Sequence, residues 1–257
     1  MEHTLQTFLT QGVFAFILTF VRVGSAATIM PGLGDSFVPQ QIRLFIALGL
    51  SLVMMPLVMP MLPAHIPPTA ALLTLIVMEF VIGIFIGTMA RIFMTALDTA
   101  GMVISMQSGL GNAQLFNPAF STQGSLIGAF LSVTGVMVLF STNLHHLLIY
   151  GIVGSYQIFP VGSLPDAGSM ADMIARAIST SFMIGIEIGA PFMVVTMVVY
   201  VGMGVLTRLM PQIQVFMIAM PVQILLSLII LGMVVPAIYL FWLAKFQEGM
   251  TYFLGGQ

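Results

Sequence analysis

Five stretches of this chain, Val13–Met30, Ile42–Leu62, Ala70–Ala90, Phe182–Leu206 and Val215–Leu243, meet or approach the ~20 apolar residues that a helix needs to cross hydrocarbon. They are too long, and alternate too little, for membrane-barrel strands of about 10 residues. A soluble core is excluded as well: 5% of the 257 residues are charged, against roughly 25% in soluble domains. These runs predict an all-α, membrane-associated fold of helical hairpins with kinked long helices, as one domain over residues 1–257. The first run is expected to be retained, because Glu2 and His3 stand where a signal peptide carries basic residues and the apolar run continues past any plausible h-region.

One stretch breaks this pattern more deeply than any other. Gln107–Gly124 reads QSGLGNAQLFNPAFSTQG. Non-helical backbone survives at membrane depth only when buried in protein or lining a wet cavity. Gly109, Gly111 and Pro118 interrupt helical geometry, while Asn112, Gln114 and Asn117 carry amides that can pair with a loop's own backbone. Leu110, Leu115, Phe116 and Phe120 are too apolar for a loop tip in water. Such a segment suits a plug or gate; a re-entrant connector without a gating role is the alternative.

Around it the chain divides at breakers. Met30-Pro31-Gly32-Leu33-Gly34 ends the first run, and Pro56, Pro60 and Pro63 crowd the end of the second. A third helix is expected from Thr69 to about Ser105. Leu126–Phe140 and Leu144–Phe159 are each short for a full crossing, which predicts a helical hairpin or a pair resting within an assembly. A long helix to about Met210, broken or kinked near Pro191, should start from Ser169 or Asp172 as its N-cap. A tight turn then leads into a last run interrupted by Pro221 and Pro236.

Charges inside apolar runs need partners or a wet surface. Arg22, Glu79, Arg91, Asp98, Glu187 and Arg208 are therefore candidates for interhelix or intersubunit pairing. Gly83 and Gly87, within IGIFIG, and Gly185 and Gly189, within IGIEIG, permit close helix approach and hint at related helix pairs in the two halves. His145 and His146 are adjacent, so on a helix they diverge by about 100° and are not expected to share a metal-binding face.

The usual metallohydrolase, dithiol, serine-hydrolase and nucleotide-loop signatures are missing from the sequence, as is cysteine. A net charge of −2 offers no basic footprint for nucleic acid. No catalytic residue, cofactor or metal is expected. Two classes remain: an autonomous ion-coupled transporter with its buried carboxylates as a relay, or one subunit of a larger conduit whose charges pair within or across subunits.

Six blocks, in order, carry a resemblance that favours the second class. They are VRVGSAATIMPGLGDSFVPQQIRLFIALGLSLVMMP (Val21–Pro56), MEFVIGIFIG (Met78–Gly87), AGMVISMQSGLGNAQLFNP (Ala100–Pro118), HHLLI (His145–Ile149), FPVG (Phe159–Gly162) and GVLTRLMPQIQVFMIAMP (Gly204–Pro221). Together they resemble the FliR/SctT family, the export-gate component of flagellar and injectisome type III secretion.

The resemblance implies a non-enzymatic subunit of the bacterial inner membrane, in the flagellar basal body, within a helical multi-subunit export gate. FliP-like and FliQ-like subunits would complete that gate, next to FlhB-like and FlhA-like components. Unfolded secreted polypeptide would pass through it. By the same resemblance residues 1–165 are a FliP-like part bearing the plug loop 107–124, and residues 166–257 a FliQ-like hairpin. In such assemblies, burial against sister subunits can replace burial in lipid, since both demand apolar surface.

Overall fold

The computed structural model describes residues 2–63, 66–111, 125–163, 166–210 and 215–251, with the side chains of 2–9 and 215–218 also left aside. Every regular element among the described residues is helical. In chain order they are α1 (Glu2–Ile29), α2 (Gln40–Val58) with a short 3₁₀ turn at Met59–Met61, α3 (Thr69–Gln107), α4 (Leu126–Ser141), α5 (Leu144–Ile158), α6 (Ala167–Leu209) and α7 (Val215–Met250).

The breakers act where their chemistry requires. After α1, Gly32 takes a left-handed φ of 86°, a conformation that costs a side-chain-bearing residue energy. Pro39 precedes α2 with its φ fixed at −56°. Pro56 lies within α2, and Pro60 falls in the 3₁₀ turn. α6 runs through Pro191, and α7 through Pro221 and Pro236. Between α4 and α5, Asn143 adopts φ 60°, which its short amide side chain tolerates better than most.

The start of α6 corrects the expected cap. Asp166, rather than Ser169 or Asp172, stands before the first turn: its carboxylate accepts from the Gly168 and Ser169 amides at 3.3 and 3.1 Å and from the Ser169 hydroxyl at 2.5 Å. The Ser169 hydroxyl and these amides hold the exposed Asp166 carboxyl below its ordinary pKa. Ser169 therefore serves the cap as a donor, and Asp172 lies one turn on, paired with Arg176.

Two compact units interleave along the chain. One comprises residues 1–93, 142–177 and 247–257; the other comprises 94–141 and 178–246. In the first, α1 packs on α2 and α5, and Leu18, Val23, Val58, Ile82, Ile86 and Ile152 are fully or almost fully buried. In the second, Leu97, Ile104, Leu131, Phe192 and Trp242 form the centre. The Trp242 and Phe246 rings lie 5.2 Å apart, and the Tyr239 hydroxyl donates to the Leu131 carbonyl at 3.1 Å.

The glycine pairs singled out in the sequence sit at close helix contacts. A Cβ on Gly87 would fall 2.7 Å from the Ala26 carbonyl oxygen of α1, and one on Gly83 would overlap Ser25. In the other unit, a Cβ on Gly185 would meet Thr99 at 2.8 Å and one on Gly189 would meet Val103 at 2.6 Å. Each pair lets a neighbouring helix approach nearly to backbone contact.

Thr10–Ile29, Gln40–Met61, Thr69–Gln107, Ala167–Leu209 and Ala219–Met250 are long and apolar enough to cross a membrane. α3 and α6, at 39 and 43 residues, extend about 58 and 64 Å at ~1.5 Å per residue, roughly twice the ~30 Å hydrocarbon core. About half of each must therefore find cover other than lipid tails. Their outer faces stay apolar, with Leu73, Val77, Met197 and Val201 all at least 59% exposed in the isolated chain.

Candidate functional site

The glycine- and amide-rich stretch Gln107–Gly124 begins where α3 ends. Gly109 leaves the helix with φ 79°, the left-handed exit that glycine makes without a Cβ penalty. Ser108 turns its hydroxyl back to the Ser105 carbonyl at 3.0 Å, and the Gly111 amide reaches the same carbonyl at 3.0 Å. Leu110 and Gly111 are half-buried. Asn112, Gln114, Leu115, Phe116, Asn117, Pro118 and Phe120, expected in the plug, lie outside the described residues.

Both ends of the segment are anchored. The Ser105 and Ser125 hydroxyls are 2.6 Å apart, so the chain leaves and rejoins the helical framework at nearly one point. Ser125 also donates to the Gly101 carbonyl at 2.9 Å and accepts from the Gly128 amide at 3.0 Å, capping α4. Gly101 and Gly128 make this junction possible: a Cβ on Gly101 would overlap the Gly128 backbone.

A second anchor holds the last carbonyl of α3. Helix ends leave carbonyls without intrahelical partners, and Gln107 oxygen accepts from Thr196 Oγ1 of α6 at 2.9 Å and from Gln223 Nε2 of α7 at 2.5 Å. Thr196 and Gln223 are 3% and 5% exposed, which makes this a water-poor latch. Sequence reading passed over Ser105, Ser125, Thr196 and Gln223. The available signal was a polar side chain inside an apolar run, as with Gln223 in VQILLSLII.

The predicted charges separate into distinct settings. Arg22 and Glu79 meet in the first unit with bonds of 2.5 Å from Nε and 2.8 Å from Nη2, a two-pronged pair at 0% and 1% side-chain exposure. Arg22 also donates to Ser155 Oγ at 3.1 Å and to the Phe159 carbonyl at 3.0 Å, and its guanidinium lies 3.7 Å from the Tyr156 ring centroid. α1, α3 and α5 are thereby tied through one buried cation, whose cost is offset by a partner at nearly every donor.

Arg91 pairs with Asp35, whose other oxygen accepts from the Gly32 amide at 2.7 Å. Asp35 thus fastens the α1–α2 turn to α3. Asp98 is exposed and accepts from Ser132 of α4. Glu187 and Arg208 are exposed on α6. The His145 and His146 rings lie 4.2 Å apart, and among the described residues no group of three or more His, Cys, Asp or Glu is placed to hold a metal ion.

Among the described residues the arrangement brings together hydrogen-bonded flanks on either side of residues 112–124 and a buried ion pair. Comparison with known proteins bears on what such parts serve. The model of a family described as bacterial export proteins, family 1, matches residues 13–249. The flagellar biosynthetic protein FliR of Caulobacter vibrioides is 36% identical over 94% of this chain and 96% of its own length. FliR of Aquifex aeolicus is 28% identical over 92% and 91%. Yop proteins translocation protein T of Yersinia pestis is 30% identical over 59% of each chain. With the family model covering nearly its whole length, the chain belongs to the FliR/SctT family of bacterial export proteins.

Proposed function

We propose that this chain is a non-enzymatic subunit of a flagellar type III export gate in the bacterial inner membrane, at the basal body. It forms, with FliP-like and FliQ-like subunits and beside FlhB-like and FlhA-like components, a pore for unfolded polypeptide. Residues 107–124 stopper that pore at rest. Leu110, Leu115 and Phe116 close it, Gly109 and Gly111 act as hinges, and Asn112, Gln114 and Asn117 hold the closed shape. The observation that carries this reading is the paired anchorage of the loop's base, Ser105 to Ser125 and Gln107 to Thr196 and Gln223. A stopper needs a fixed base if its tip is to move and return.

The autonomous transporter draws less support. A proton relay needs carboxylates free to exchange protons, whereas both Glu79 oxygens are engaged by Arg22 and Asp98 and Glu187 stand on exposed faces. Deleting Gly109–Phe120 in cells that carry the remaining apparatus should raise their permeability to small ions while the gate still co-purifies as an assembly. An assembled gate that stays ion-tight without the segment would remove the plug assignment.

A further inference from the structure

Beside the Asp35 fastening, an open cleft of about 510 Å³ lies among α1, α2 and α3 of the first unit, within the ~300–1,000 Å³ range of small-molecule sites. Phe20, Gly24 and Thr28 of α1, Arg43 and Ala47 of α2 and Phe80 of α3 line it. All three helices are apolar enough to cross a membrane. The rim is open: Leu44 and Phe80 are 49% and 50% exposed.

The polar end of this cleft carries a cation, Arg43, with no carboxylate partner among the described residues. Arg43 gives Nη2 to two backbone carbonyls, those of Asp35 at 3.1 Å and Val38 at 3.4 Å. Its Nε is buried and has no hydrogen-bond partner among the described residues. The nearby Asp35 carboxylate is occupied by Arg91 and the Gly32 amide, and the first turn of α2 contains no acidic residue. Among the described residues, two arginines against one aspartate leave one positive charge over, on a side chain that lines an apolar trough.

We infer that this cleft binds one anionic phospholipid, its phosphodiester on Arg43 and an acyl chain along the apolar wall of α1 and α2. A guanidinium is suited to phosphate, and the trough accepts the hydrocarbon that a free phosphate lacks. The site is separate from the loop base and goes beyond the gate reading: it assigns the chain a fixed lipid.

The test uses the full chain co-purified with its native partners and placed in nanodiscs. The probe is phosphatidylglycerol with a photoactivatable group on its acyl chain, with matched phosphatidylcholine as comparison. Phosphatidylglycerol should label peptides containing Phe20–Thr28 or Leu44–Ala47 at least fivefold more than phosphatidylcholine. Arg43→Gln should cut that labelling about fivefold, whereas Arg43→Lys, which keeps the charge, should retain most of it. Gly24→Leu fills the trough while leaving Arg43 intact, and should also cut labelling. Only preparations that retain their co-purifying partners are compared, so misfolded variants do not enter. Equal labelling by both lipids, suppression by millimolar inorganic phosphate, or crosslinks from these segments to a partner polypeptide in place of lipid would each overturn the assignment.

Discussion

Arg22 and Glu79, 57 positions apart in the chain, face each other through two N–H···O bonds with both side chains almost wholly out of solvent. A pair buried this deeply is worth little against a well-packed apolar pair, but losing one partner strands a charge at a cost of about 3–5 kcal/mol. Glu79→Ala or Arg22→Ala alone should therefore sharply lower accumulation of the chain in membranes and its thermal midpoint in detergent. Arg22→Met with Glu79→Leu should recover much of that loss. A double variant as unstable as the sum of the singles would mean that the rest of the Arg22 network, through Ser155, Phe159 and Tyr156, matters more than the pair.

Gly87 and Gly202 provide a matched comparison of helical glycines. At Gly87 a Cβ would run into the Ala26 carbonyl of α1, whereas at Gly202 nothing lies within 4 Å of where a methyl would sit. Gly87→Ala should destabilise the chain by about 1–3 kcal/mol, as overpacking does. Gly202→Ala should be neutral or stabilise it by up to ~1 kcal/mol through helix propensity. Thermal unfolding of the two variants side by side is the check, and opposite signs are the expected result.

The Gln107 latch predicts a leak without any deletion. Gln223→Leu with Thr196→Val removes both side-chain donors from a half-buried carbonyl, at a cost of about 1–3 kcal/mol. If the closed loop depends on that anchor, the closed population should fall by about tenfold or more, since ~1.4 kcal/mol is a factor of ten. Cells with the complete apparatus should then show raised sodium or chloride uptake while the gate still assembles. Unchanged ion uptake in an assembled double variant would place the latch in folding alone.

The Asp166 cap has a defined pH sense. Ser169 and the Gly168 amide stabilise the carboxylate and lower its pKa, so its contribution is present above the unfolded aspartate value of about 3.9 and is lost as pH falls through the lower folded value. At neutral pH, Asp166→Ala should speed amide exchange over Ala167–Met170, whereas Asp166→Asn should largely preserve protection by accepting the same bonds. The gap in exchange between the native chain and the Asp166→Ala variant should shrink in acid, after correction for intrinsic exchange rates.

Much of this architecture could be read before any coordinates. Apolar runs mark the long helices because hydrocarbon leaves few other ways to satisfy a backbone, and the glycine pairs mark the close crossings. Charges such as Arg22 and Glu79 announce that they need company, but not whose. Partner choice depends on which helices come together, and nothing local in α1 points to Ser155 or to the Phe159 carbonyl. Helix α3 shows why the units were not legible: it runs as one helix from Thr69 to Gln107, and Arg91 and Asp98, on either side of residue 93, read as charges in need of partners and not as a place where neighbours switch. The hold on the end of α3 was equally hidden, because a lone Gln223 or Thr196 in a greasy helix looks like an incidental polar residue until Gln107 arrives opposite. The stretch Gln107–Gly124 was conspicuous in sequence for the reverse reason, since glycine, proline and amides cluster there.

Trp242 is the sole tryptophan of the chain and is wholly enclosed, with Phe246 beside it. Its emission therefore samples one interior and no other. Excitation at the red edge of the indole band, where tyrosine absorbs little, should give a blue-shifted spectrum resistant to iodide quenching. Subunits arriving on the outer apolar faces would leave that spectrum nearly unchanged. Only loosening around α7 would redden it, so the molecule carries its own optical gauge for distinguishing assembly from unravelling.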